Sequence, residues 1–322
     1  MGRDSADDRP LPPGEAFAAL GHEIRVGILQ ALAESTRAER PLSFSTLRER
    51  VGTVDSAKFN YHLGELVGHF VARGEDGYDL RPAGERVAEA VLSGAVTEDP
   101  VVERVAIDAS CPYCGAGVEF GYRDERTTTY CPECSGAFEM ASGRVEKDEP
   151  AGYGFLGYLD LPPAGVEDRD PTAVHDAALE WHLAEQALAA AGTCSRCSAA
   201  MEEWLTLCED HDPGDGTCSA CGNRYAAHQS ARCTNCVYSR RATFGAALLD
   251  SPALQSFLTD HGVNLVSPRY EQFAAFVLDY DEDILAVEPF EAAFTFTAEG
   301  DALTLTVDDS LDVVEATEHG AD

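Results

Sequence analysis

The side chains best suited to chemistry are eleven cysteines, at positions 111, 114, 131, 134, 194, 197, 208, 218, 221, 233 and 236. Ten of them form Cys-x-x-Cys pairs, a spacing whose turn presents two sulfurs to one ion. The eleventh, Cys208, stands three residues before His211, so an imidazole completes a sixth pair. Six pairs make three tetrahedral sites, and the expected cofactor is Zn2+, about three ions per chain. Four protein ligands leave no open coordination position, so the expected role is structural, with each ion contributing on the order of 10 kcal/mol to folding.

The first site is Cys111, Cys114, Cys131 and Cys134. Between its two pairs, Val118 to Tyr130 reads as strand, polar turn and strand, the layout of a zinc ribbon. The remaining ligands divide most simply in chain order, because short loops close at least entropic cost. That gives Cys194, Cys197, Cys208 and His211, then Cys218, Cys221, Cys233 and Cys236; interleaved ligation uses the same residues. Disulfides fit an odd count and a reducing cytosol poorly. A redox dithiol needs one such pair at a strand-to-helix junction, and the histidine favours zinc over an iron–sulfur cluster. With no nucleophile–base constellation, phosphate loop or open metal site visible, the chain does not read as an enzyme.

The elements that carry these ligands sit in a very acidic chain. Its 322 residues hold 57 Asp plus Glu against 23 Lys plus Arg, a net charge of −34, and Lys58 and Lys147 are the only lysines. Such a surface is tolerable where concentrated salt screens it, which points to a salt-loving, archaeal source. The charge is uneven: residues 1–95 hold 11 basic and 15 acidic residues, leaving 12 and 42 for 96–322. A nearly neutral N-terminal segment is what a DNA-facing surface requires. No stretch is long and apolar enough for a membrane span, and the start has no secretory apolar core, so the expected location is the cytoplasm.

In residues 14–35, Phe17, Leu20, Ile24, Ile28 and Leu32 fall three or four apart and predict one amphipathic helix. Ser43 caps a short helix with Phe44, Leu47 and Val51 inward, and Gly52 ends it. A second helix begins at Asp55 or Ser56, with Phe59, Leu63, Leu66 and Val67 toward the core. Two short helices across a tight turn fit a helix-turn-helix, whose second helix enters the major groove by its N-terminal residues. The candidate DNA contacts are therefore Ser56, Ala57, Lys58, Asn60, Tyr61 and His62, with His62 equally suited to the core. Two strands around Gly74 to Gly77 form a wing with Arg73 at its edge. Pro82 opens a closing helix with Val87, Val91 and Leu92 apolar.

The run from Ala18 to Leu29 resembles the opening helix of ArsR-type winged-helix regulators. Phe59-Asn60-Tyr61-His62-Leu63 is similar to the core of their recognition helix, and Gly77 to Leu80 with Ala83 and Gly84 to their wing and last helix. The resemblance covers about residues 14–96 and implies double-stranded DNA as partner, bound as a homodimer on a palindromic operator. The family's metal-sensing branch carries Cys-x-Cys near the recognition helix. Here no cysteine precedes Cys111, so that mode of sensing is not expected.

The fold class expected is α+β and multi-domain. Residues 1–13 read as a disordered tail, 14–97 as the winged helix and 101–147 as the zinc ribbon. Residues 151–192 read as a hairpin with an alanine-rich linking or dimerisation helix, in which Trp181, Leu188 and Val174 share a side and His175 and His182 serve packing or dimer contact. Residues 193–240 read as two zinc-knuckle modules, 241–316 as a small α+β domain with an antiparallel hairpin at 291–297 and 302–307, and 317–322 as a polar tail. In outline the second half resembles the cysteine-rich part of haloarchaeal winged-helix regulators. The function expected is an ArsR-like transcriptional regulator. The alternative is a winged-helix and zinc-ribbon factor that works with the transcription machinery without sequence-specific DNA binding.

Overall fold

A computed structural model describes residues 11–53, 55–138 and 153–320. Positions 1–10 of the N-terminal tail, 139–147 of the expected ribbon, 151–152 and the terminal 321–322 lie outside the described residues. The chain forms two compact units, Met1–Asp99 with Pro162–Ala164, and Pro100–Leu161 with Gly165–Asp322.

The first unit begins with two helices, α1 (Pro13–Leu20) and α2 (Glu23–Ala33), where the apolar period predicts one. Gly21 interrupts them, and the His22 Nδ1 accepts the Ile24 amide at 3.1 Å as N-cap of α2. The break turns Phe17 out of the expected inward stripe and leaves it 76% exposed. The helix α3 (Phe44–Val51) starts at the Ser43 cap and ends on Gly52 at φ 70°. The next, α4 (Ser56–Gly64), is capped by Asp55, whose Oδ1 accepts the amides of Ala57 and Lys58 at 2.8 and 3.1 Å. The strands β1 (Val71–Arg73) and β2 (Tyr78–Leu80) pair antiparallel as the wing, and α5 (Pro82–Leu92) follows. Ile28, Leu32, Leu47, Phe59, Leu63 and Leu66 form the centre of this core. Gly84 and Ala88 are the buried residues of α5, whereas Leu92 is exposed.

Among the described residues, the second unit carries three antiparallel sheets. In the first, β3 (Val102–Ser110), β4 (Gly117–Arg123), β5 (Arg126–Cys131) and β6 (Gly154–Asp160) lie in chain order. The last of these corrects the expected separate hairpin at 151–192: β6 pairs with β5, from Arg126 opposite Asp160 to Cys131 opposite Gly154. Gly154 has to be glycine, because a Cβ there would lie 2.1 Å from the Cys134 carbonyl oxygen. Helix α6 (Pro171–Ala190), capped by Asp170, buries Val174, Ala178, Leu179 and Leu183, while Trp181 and Leu188 remain exposed.

The second sheet is β7 (Met201–Leu207), β8 (Ala227–Cys233) and β9 (Ser239–Thr243). After it come α7 (Phe244–Ala247), α8 (Pro252–Asp260) and α9 (Tyr270–Val277). The third sheet is β10 (Asp281–Val287), β11 (Phe290–Ala298), β12 (Asp301–Val307) and β13 (Val313–His319). Strand alternation buries Phe290, Ala292, Phe294 and Phe296 opposite Leu303, Leu305 and Val307. The expected tail at 317–322 is in part strand, because β13 runs to His319 and pairs it with Ala302. One cluster of buried residues extends from Ile107 to Val307, so the segments expected as separate small domains share a core. The fold is α+β.

Candidate metal centres and nucleic-acid interface

Four of the six ligand pairs are built by a backbone turn that repeats along the chain. The amide of the first cysteine donates to the carbonyl five residues on: Cys111 to Ala116 at 2.8 Å, Cys194 to Ala199 at 2.8 Å, Cys218 to Asn223 at 2.9 Å and Cys233 to Tyr238 at 2.8 Å. In the first three, residue four donates back to the cysteine carbonyl and adopts the left-handed region, Gly115 at φ 73°, Ser198 at 62° and Gly222 at 70°. Further amides point at sulfur. Asp212 and Ala220 each donate to the Cys218 Sγ at 3.4 Å, and Asn235 and Cys236 to the Cys233 Sγ at 3.3 Å. Donors aimed at a thiolate favour it over the thiol.

The strands bring these turns together as three clusters, in each of which the four ligand atoms lie within 4.8 Å of one another. The first is Cys111, Cys114, Cys131 and Cys134, at the end of the sheet where β3, β4 and β5 meet. The second is Cys194, Cys197, Cys233 and Cys236, and the third Cys208, His211, Cys218 and Cys221. Pairing in chain order is thus overturned: the third cluster is nested inside the second. Its physical cause is β7. That strand is extended, so at about 3.4 Å per residue its seven residues hold the pair at 194 and 197 far beyond one ion's reach of 208 and 211. The antiparallel register then sets Met201 opposite Cys233 at one end and Leu207 opposite Ala227 at the other. Each end of the β7–β8 ladder closes on its own cluster.

The geometry suits a tetrahedral ion. A metal–sulfur distance of about 2.3 Å implies an edge of about 3.8 Å between sulfurs. The Cys111–Cys134 and Cys194–Cys236 sulfurs are 3.7 Å apart, and Cys114–Cys131 and Cys197–Cys233 are 3.4 Å apart. All are far longer than a disulfide bond of about 2.05 Å. In the third cluster the His211 Nδ1 stands 3.5 Å from the Cys221 Sγ, while its Nε2 lies 3.0 Å from the Arg224 carbonyl oxygen. A proton on Nε2 donated to that carbonyl leaves Nδ1 as the ligand.

The thiols divide by environment. The Asp212 backbone amide, ahead of those of Cys221 and Ala220 and against some burial, brings Cys218 down to about 6. The Ala199 amide, with the Asn235 side chain, brings Cys197 down to about 6. Burial pushes Cys208 up to about 11 and Cys111 well above its ordinary value. Each cluster must release protons to bind its ion.

The first and third clusters are joined directly. The Arg224 guanidinium lies 3.8 Å over the Tyr113 ring, between Cys111 and Cys114, and its Nε donates to the Gly136 carbonyl at 3.2 Å. The Arg224 amide donates to Ala137 at 2.9 Å. None of this leaves a sequence signature, because two of the acceptors are backbone carbonyls.

In the first unit, α4 exposes Ser56, Ala57, Lys58, Asn60 and Tyr61, and Arg73 is exposed at the end of β1. His62 is removed from the candidate contacts. It is 6% exposed, and its ring sits 3.8 Å from that of His22. It faces inward because Phe59, His62 and Leu63 are the buried residues of α4, three and four apart. His175 is also packing: it is buried edge-on to Phe120 and Tyr270, at 5.7 and 5.2 Å. His182 lies 3.0 Å from the Gln186 side chain instead of any cluster.

By fold and site this is an α+β protein with a winged-helix arrangement in one unit and three metal-ligand clusters in the other. The chain belongs to the family described as Domain of unknown function (DUF7351), whose model matches residues 108–313. A second model, Domain of unknown function (DUF7347), matches residues 13–91, from α1 into α5. No curated protein and no solved structure matches the chain. Among the described residues, no helix is long and apolar enough to cross a membrane.

Proposed function

We propose that the chain is an ArsR-like transcriptional regulator that binds double-stranded DNA as a homodimer in a salt-rich cytoplasm, with one structural Zn2+ in each cluster. The observation that carries the DNA reading is the division of α4. Its buried face holds the helix in the core, and its free face presents Lys58, Asn60 and Tyr61 from the first two turns. A lysine suits a phosphate, and an amide suits an adenine edge. Asp55 already occupies the helix N-terminal amides. Phosphate contacts on this reading therefore fall to side chains, Lys58 and, from the wing, Arg73.

Zinc is favoured over other ions by thiolate and imidazole ligands in tetrahedral sets, and four protein ligands give it a structural role. Exposed apolar side chains support self-association: Phe17 and Leu92 in the first unit, Trp181 and Leu188 on α6 in the second. Mapping DNA occupancy across the source genome tests the reading. Discrete sites sharing a palindromic motif are expected. Recovery of RNA polymerase with no site-specific occupancy would favour the factor that acts through protein contacts.

A further inference from the structure

We infer that the cavity lined by β6, α6, β8, β9 and α9 is a binding site for a small organic anion, a carboxylate on an apolar body. The cavity has a volume of about 320 Å3, at the small end of the range for ligand pockets. Phe155, Leu156, Phe273 and Val277 supply apolar wall, and Gln186, His228 and Arg240 supply polar groups.

Most polar atoms of those groups lack a partner among the described residues. His228 is 1% exposed and Gln186 5%, yet both ring nitrogens of His228, the Gln186 Oε1 and the Arg240 Nε and Nη1 have no hydrogen-bond partner among the described residues. Buried polar atoms are normally paired, so five orphans around one void need a cause. The charges indicate its sign. The carboxylates on the wall are already engaged, Asp160 with Arg126 and Arg196 at 3.1 and 3.6 Å, and Glu185 with Arg196 at 3.3 Å. Arg240 keeps one hydrogen bond, from Nη2 to the Gln229 Oε1 at 3.3 Å, while Glu203 and Asp250 act on it only through space. A guanidinium whose Nε and Nη1 are buried with no paired anion among the described residues is costly, and this one is found in a chain with 57 acidic residues. A carboxylate entering the cavity supplies that anion.

The imidazoles suit a neutral hydrogen-bonding role. Burial pushes His182 down to about 4 and His228 down to about 3, so Arg240 is the cation that selects charge. The apolar wall selects a body such as an aryl ring or a short alkyl chain, and an inorganic oxyanion would leave it unfilled. The site lies wholly in the second unit, and its occupation does not depend on whether the first unit binds DNA.

The test is calorimetric titration of the full, metal-loaded chain with phenylacetate, and with phenylacetamide as a neutral isostere. Expected are saturable binding of one phenylacetate per chain and affinity for the amide at least tenfold weaker. Arg240→Gln should lower phenylacetate affinity at least tenfold, and Arg240→Lys should recover part of it, both with unchanged metal content. Should the glutamine variant not fold, the wild-type imidazole signals decide: phenylacetate should shift His182 and His228 among the nine histidines. No saturable binding, equal affinity for acid and amide, or shifts confined to other histidines would overturn the site and mark the cavity as solvent-filled.

Discussion

Cys194 and Cys236, separated by 42 positions, hold their sulfurs 3.7 Å apart, and between them in sequence lies an entire second cluster. This nesting makes the β7–β8 ladder the spacer between two candidate metal centres. It predicts which cysteines fail together. Replacing Cys194 and Cys236 by serine should remove one metal ion per chain, whereas replacing Cys194 and Cys208 should remove two. Elemental analysis after dialysis distinguishes the outcomes, and ligation in chain order predicts the reverse.

His211 should be replaceable only by a residue that binds metal. His211→Cys should keep the full metal content, because a thiolate also completes the tetrahedron. His211→Ala leaves three ligands and removes the contact to the Arg224 carbonyl. Its third cluster should lose metal to a chelator at least tenfold faster, as read with a chromogenic zinc indicator. Equal release rates for alanine and wild type would remove His211 from the ligand set.

The buried His62 gives the first unit an acid limit. Burial lowers its pKa below the ordinary 6.5, His22, Arg25 and Lys58 add to the effect, and Glu65 opposes it. The neutral ring is the form that folds. Its stabilisation is therefore full above about pH 6.5 and is lost as pH falls below that value toward the folded-state pKa. Hydrogen-exchange protection in α2 and α4, corrected for intrinsic rates, should decline below pH 6.5 in wild type and less steeply in His62→Gln. Identical profiles would show that His62 does not set the limit.

Net charge of −34 should make folding salt-dependent. Melting temperature should rise as KCl is raised from about 0.5 M to about 3 M, since the Debye length is already about 3 Å at 1 M and further gain comes from salt excluded at the surface. A flat or falling melting curve would contradict a halophilic adaptation.

What the sequence made legible follows from how local each signal is. The ligand residues and the wing were readable because Cys-x-x-Cys turns and the hairpin around Gly74 to Gly77 are built from neighbours in the chain. Which pairs share an ion was not, because the register of β7 on β8 decides it, and a register is a contact between distant segments. Similarly, β10 lacked an apolar alternation to announce it. In β10, Glu282 occupies an inward position and its carboxylate accepts the Ala226 and Ala227 amides at 2.6 and 3.0 Å, so a half-buried acid hides the strand. The break at Gly21 was obscured by an apolar period that continues across it, and the His22 cap is visible only once the turn exists. The buried side of His62 was ambiguous for a related reason: its position suits both faces of α4 until His22 packs against it.

The proposed reading of DNA by the exposed face of α4 is tested by selection from a random double-stranded pool in molar KCl. Enrichment of a palindromic motif bound by wild type is expected. Lys58→Ala with Asn60→Ala should lose at least tenfold in affinity for it, roughly the 1–3 kcal/mol of a base contact plus a phosphate contact, while melting temperature and metal content stay unchanged. No enriched motif, or a motif bound equally by the double variant, would contradict it.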